Sequence, residues 1–104
     1  MKTKKAESLI SKDDVLTFLR ENKAFLEREF GVTRLALFGS YARNEQNLSS
    51  DIDILIDVKT HDFRNRMRLK HFLENALNKR IDLIYFDSLR LIVKKSIQED
   101  LIYA

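Results

Sequence analysis

Two aspartates separated by one residue, Asp51 and Asp53, stand in Ser50–Val58 (SDIDILIDV), where apolar residues alternate strictly with the rest. In an extended strand, side chains two apart share a face, and these two Cα atoms lie ~6.6 Å apart. From such positions both carboxylates can converge on one divalent cation, or on two cations ~4 Å apart. Hard oxygen donors on a rigid element suit Mg²⁺, which takes one or two carboxylates together with phosphate oxygens. The ordinary alternative is a solvated face, since two aspartates turned inward without a cation would repel. A second candidate precedes this strand. The apolar run Leu35–Phe38 passes directly into Gly39-Ser40, where a helix starts. Glycine at a strand exit lets the backbone approach a ligand closely, and the N–H groups of a new helix attract an anion. Ser40 adds a hydroxyl donor, and Arg43 adds a permanent charge one turn on. Taken singly, Gly39 is a tight turn and Ser40 an ordinary N-cap. The pattern is no P-loop, which needs a second glycine followed by lysine.

The elements that must hold these residues follow from periodicity. Ser11, with Asp14 three residues on, caps a helix carrying Val15, Leu19, Leu26 and Phe30 on one face, and Gly31 stops it. Thr33–Phe38 reads as a buried strand, and Tyr41–Gln46 as a short helix capped by Ser40. In the second strand Ile52, Ile54 and Ile56 take one face, with Asp51, Asp53, Leu55 and Asp57 on the other. Asp62 caps a long helix to about Asn78, Ile81–Phe86 is a third strand, and Asp87 or Ser88 opens a last helix through Leu101. The expected fold class is α+β (α/β-like), with a small mixed sheet of about three strands flanked by helices. Residues 1–10 are expected to be a flexible N-terminal segment and residues 11–104 a single domain.

Composition narrows the function classes. The chain has 104 residues, is 44% hydrophobic and 34% charged, and has a net charge of +3. Zero cysteines remove disulfides, thiolate zinc sites and cysteine nucleophiles together, and His61 and His71 lack metal-ligand spacing. No apolar stretch approaches the ~18 residues of a membrane span and no export signal is present, so the expected location is cytoplasmic. Residues 59–80 carry seven Lys/Arg against Asp62 and Glu74. That stretch reads first as a solvated helix face, and direct nucleic-acid binding is not expected, because no aromatic interleaving accompanies the charge.

Gly39-Ser40-Tyr41-Ala42-Arg43, followed by Ser50-Asp51-Ile52-Asp53-Ile54-Leu55-Ile56, closely resembles the nucleotidyltransferase fold family, in particular its minimal branch. The pattern there is Gly-Ser-x-Ala-Arg-Gly, a short spacer, then Ser-Asp-Ile-Asp-Leu-Leu-Val, and the step from Gly39 to Asp51 has the family spacing. By motif the resemblance covers about residues 30–88. It implies transfer of AMP from ATP to a hydroxyl, with release of pyrophosphate. It also implies a third carboxylate on a neighbouring strand, which Asp82 in Arg80–Tyr85 (RIDLIY) fits. An edge-strand aspartate paired with Arg80 or a lysine is the ordinary alternative. The implied site has Asp51, Asp53 and Asp82 as catalytic residues and ligands of a two-metal Mg²⁺ centre, with Gly39, Ser40 and Arg43 binding the nucleotide. Such a small chain has no second domain to present an acceptor. The resemblance therefore implies a partner, a HEPN-domain toxin adenylylated by this chain as its antitoxin, with tyrosine the expected acceptor. A non-catalytic antitoxin acting by stoichiometric binding is the alternative. One departure stands out: Asn44 replaces the glycine after the family arginine. Asparagine tolerates the left-handed backbone region better than other residues with a side chain, so the turn is expected to survive.

Overall fold

The computed structural model describes residues 10–91 and 101–104. The expected flexible segment over residues 1–10 therefore lies, apart from Ile10, outside the described residues. The first helix begins as expected. Asp14 N–H donates to Ser11 Oγ at 3.0 Å and Ser11 N–H to Asp14 Oδ2 at 3.4 Å, a reciprocal capping box. It is not one helix to Gly31, however. It divides into α1 (Lys12–Glu21) and α2 (Lys23–Phe30) at Asn22. The Asn22 side-chain amide and its backbone N–H both donate to the Phe18 carbonyl, at 2.9 and 3.1 Å. This local bond competes with helix continuation, as asparagine side chains commonly do. Gly31, at φ 72°, closes α2 in the left-handed region.

The chain continues through β1 (Val32–Phe38), α3 (Gly39–Ala42), β2 (Ile52–Val58), α4 (Phe63–Leu77) and β3 (Ile81–Tyr85). A 3₁₀ helix (Phe86–Leu91) and a short β4 (Ile102–Tyr103) complete the described elements. The sheet is mixed, in the order β3-β2-β1-β4, with β2 parallel to β3 and β1 antiparallel to both β2 and β4. It has four strands rather than about three. The apolar spacing of Leu89, Ile92, Val93, Ile97 and Leu101 favours a helix reaching Leu101, but Ile102 and Tyr103 pair with Leu37 and Ala36. Two paired residues are too few to show an alternating pattern. Residues 92–100 of that expected helix lie outside the described residues, and its opening turn is 3₁₀ in form.

The alternation expected for β2 decides what each face of the sheet meets. Ile52, Ile54 and Ile56 are fully buried with Leu35 and Leu37 of β1, Val15 and Leu19 of α1, Leu26 of α2, and Leu69 and Leu73 of α4. On the opposite face Leu55 is also fully buried, with Ala36, Phe38 and Phe86. The outer edge of β3 is blunted by α4. Glu74 Oε2 accepts from Ile81 N–H at 3.1 Å, and Arg66 Nη1 donates to the Leu83 carbonyl at 3.1 Å. Arg66 of the basic stretch is thus engaged within the fold rather than on a wholly solvated helix face. Among the described residues, no helix is long and apolar enough to cross a membrane.

Candidate active site

The chemistry-bearing residues gather at one end of the sheet. Register places Phe38 opposite Asp53 and Asp53 beside Asp82, so three adjacent strands contribute to one row. Phe38 is extended, and Gly39, at φ 76°, turns the chain away from it into α3. A Cβ on Gly39 would overlap Asp53 Oδ2 and lie 3.0 Å from its Cγ. The glycine is therefore required twice, by its left-handed backbone and by the carboxylate packed against it. Asp51 precedes β2 by one residue, and its negative charge is felt by Asp53.

The α3 helix begins earlier than expected, at Gly39 rather than Tyr41. Ser40 lies inside it and is not its N-cap, and no side chain caps this helix. The physical cause is Gly39, whose backbone freedom lets the strand turn into a helix without a capping side chain. The Ser40 hydroxyl therefore does not serve as a helix cap. Asn44, at φ 61°, ends the turn in the left-handed region, as its replacement of a family glycine requires. Around it Asn44 N–H donates to Tyr41 O and Glu45 N–H to Ser40 O, at 3.2 and 2.8 Å. Arg43 pairs with Glu45 at 2.9 Å. Tyr41 is fully buried in the helix-side core, and its hydroxyl finds no hydrogen-bond partner among the described residues.

The carboxylates of the cluster repel one another. The Asp53 carboxyl is pushed up from 3.8 to about 6, first by burial and then by the negative charges of Asp82 and Asp51, while Arg43 pulls it back. Arg80, the expected ordinary partner of Asp82, instead places Nε 3.8 Å from Asp51 Oδ1. Among the described residues no group of three or more His, Cys, Asp or Glu side chains is arranged to hold a metal ion, so Asp82 is not brought together with Asp51 and Asp53 as the expected third ligand. The remaining pair, Asp51 and Asp53, is open at the sheet end. Such a pair suits Mg²⁺, which completes its shell with water and phosphate oxygens. A hollow of about 230 Å³ lies elsewhere, between α2 and β1, and includes none of these residues. His61, expected at the surface, is half exposed and stacks on Tyr85, with ring centroids 4.1 Å apart.

The crowding has a measurable cost in the metal-free protein. At pH 7 Asp53 is ionised both folded and unfolded, so the folded state bears the full burial and repulsion penalty. As pH falls through about 6 the folded state takes up a proton that the unfolded chain does not bind until 3.8, and stability rises. Asp53→Asn is therefore expected to raise the melting temperature in EDTA at pH 7 by about 5 °C, after allowance for solvent screening. The gain should shrink at pH 5. Scanning calorimetry at both pH values checks this, and a lower melting temperature for the variant at pH 7 contradicts it.

Comparison with known proteins bears on the family and the fold. Residues 19–104 match the sequence profile of the nucleotidyltransferase domain. The chain is 44% identical over 92 residues to a Methanocaldococcus jannaschii relative whose provisional name is protein adenylyltransferase, covering 86% of this chain and 94% of the relative. It is 30% identical over 97 residues to protein adenylyltransferase MntA of Thermococcus cleftensis, covering 92% and 98%. Among solved structures, one described as a minimal nucleotidyltransferase superposes with a TM-score of 0.76 at 25% identity, covering 91% of this chain and 97% of that one. A toxin–antitoxin crystal structure with AMP-PNP superposes with a TM-score of 0.54 at 30% identity, covering 76% and 60%. A glycine turn packed on an aspartate of the neighbouring strand, within a profile match over most of its length, places the chain in the nucleotidyltransferase domain family.

Proposed function

We propose that this chain transfers AMP from ATP to a hydroxyl of a HEPN-type toxin partner, with release of pyrophosphate, and so acts as its antitoxin. The observation that carries the reading is the row Gly39, Asp53 and Asp82, which sets a phosphate-approach turn, a cation-binding carboxylate and a third carboxylate side by side. The adenylyltransferase names of the relatives and the toxin–antitoxin neighbour with AMP-PNP support it. Asp51 and Asp53 would hold Mg²⁺ together with the triphosphate, with Asp82 beside them on the neighbouring strand. The bound cation supplies neutralisation of phosphate charge. Gly39 brings backbone N–H groups to the phosphates, the Ser40 hydroxyl donates to a phosphate oxygen, and Arg43 adds positive charge. The acceptor oxygen forms its bond to the α-phosphorus as the bond to pyrophosphate breaks, and the acceptor proton passes to Asp82. Positioning and charge compensation account for most of the acceleration. Residues 11–104 act as one catalytic unit, working in the cytoplasm, with tyrosine the acceptor on the partner.

The direct test is nucleotide binding. ATP is expected to bind with Mg²⁺ and to lose most of its affinity in EDTA. Asp51→Asn/Asp53→Asn should abolish the Mg²⁺-dependent part while keeping a folded circular-dichroism spectrum. Equal ATP affinity with Mg²⁺ and with EDTA in calorimetry would show that the two aspartates do not bind a cation for the triphosphate.

A further inference from the structure

We infer that Arg80 is an exchangeable counter-ion for Asp51, holding its carboxylate in the free protein and yielding it to the incoming divalent cation. The inference rests on the proposed reading of Asp51 as a cation ligand, and it assigns a role to a residue outside the family motif.

Three observations carry it. First, the two charges are paired. Arg80 Nε lies 3.8 Å from Asp51 Oδ1, while Arg43 is the cation that lowers the Asp53 carboxyl. Second, the backbone of Arg80 is anchored. Its carbonyl accepts from Ile52 N–H at 2.9 Å, extending the β2–β3 ladder by one residue. The preceding turn is held as well, because Lys79 Nζ donates to the Leu48 carbonyl at 2.9 Å, and Asn78 at φ 54° bends the chain out of α4. Third, the side chain can move. Its exposure is 84% against 45% for Asp51, so little packing opposes its release.

A separation of 3.8 Å is an ion pair without a short hydrogen bond, weak enough to exchange. A divalent cation bound at Asp51 carries twice the charge of the guanidinium and displaces it. Arg80 stands two residues before Asp82, so the freed guanidinium remains on the Asp82 side of the cluster.

Removing the guanidinium removes a competitor. Titration of Mn²⁺ into the nucleotide-free full chain should therefore show Arg80→Gln binding the ion about two- to fivefold more tightly than the wild type, the scale of an exposed pair. Arg80→Lys, which keeps the charge, should lie closer to the wild type. Lys79→Gln, which removes a neighbouring charge bonded to a carbonyl, should change affinity less than Arg80→Gln. In an Asp51→Asn background the effect of Arg80→Gln should vanish, a coupling that general loss of positive charge or a structural role does not produce. Mn²⁺ affinity unchanged or weakened in Arg80→Gln overturns the inference and leaves the carboxylate site standing. Mn²⁺ binding that is absent from the wild type, or unaffected by Asp51→Asn, overturns the site itself and the inference with it.

Discussion

Asp82→Asn is expected to bind Mg²⁺ and ATP nearly as well as the wild type and to lose about 10²- to 10⁴-fold in transfer rate, the usual range for a general base. The division follows from the sheet. Asp82 lies on β3, beside Asp53 but on the edge strand, whereas Asp53 belongs to β2 and Asp51 stands just before it. Removing its charge leaves Asp51 and Asp53 to hold the cation. Asp82 is exposed, and asparagine keeps its size and one acceptor oxygen, so collapse of the fold is a poor explanation of any loss. Single-turnover transfer of labelled AMP to the purified partner, run beside ATP binding, measures both halves. If transfer persists at the wild-type rate, Asp82 does not take the proton. If toxin neutralisation in cells is intact while no label is transferred, protection comes from binding alone.

Gly39→Ala is expected to have the second large effect. The added Cβ would overlap the Asp53 carboxylate, and alanine is strained at φ 76°. Either the turn shifts away from the phosphates or Asp53 swings away from the cation, and both damage the site. Transfer should fall by at least 10²-fold, the scale on which ångström displacements act in positioned reactions. The comparison is with Gly31→Ala, also at positive φ (72°) but with its nearest contacts 3.9 Å away. That variant should lose stability through strain and retain turnover per folded molecule. Equal loss of specific activity in both variants would place the effect in the backbone turn rather than in the Asp53 contact.

How far the sequence foretold this arrangement depends on the range of the interaction. The capping box of Ser11 and Asp14, the left-handed stop at Gly31 and the alternation of β2 are local, and residue type at fixed spacing is enough to read them. Asn44 belongs with them, because its left-handed φ follows from the glycine it replaces. Asp51, Asp53, Gly39 and Ser40 were legible as a motif, but their contacts were not. The close approach of Asp53 to Gly39 depends on β1–β2 register, and the pairing of Arg80 with Asp51 depends on the turn between α4 and β3. The break at Asn22 and the start of α3 at Gly39 went unread for another reason. An apolar face continues across Asn22, and a hydroxyl beside a glycine resembles a cap, so periodicity and capping rules each favoured the simpler element. The pairing of β4 with β1 joins the chain end to its first third, and two residues carry no period of their own.

Mass spectrometry of the HEPN-type partner after incubation with this protein, Mg²⁺ and ATP tests the central claim most directly. A mass increment of one or more AMP units on the partner is expected, located on a hydroxyl side chain and absent with Asp51→Asn/Asp53→Asn. A partner that is neutralised yet unchanged in mass would contradict the transfer of AMP.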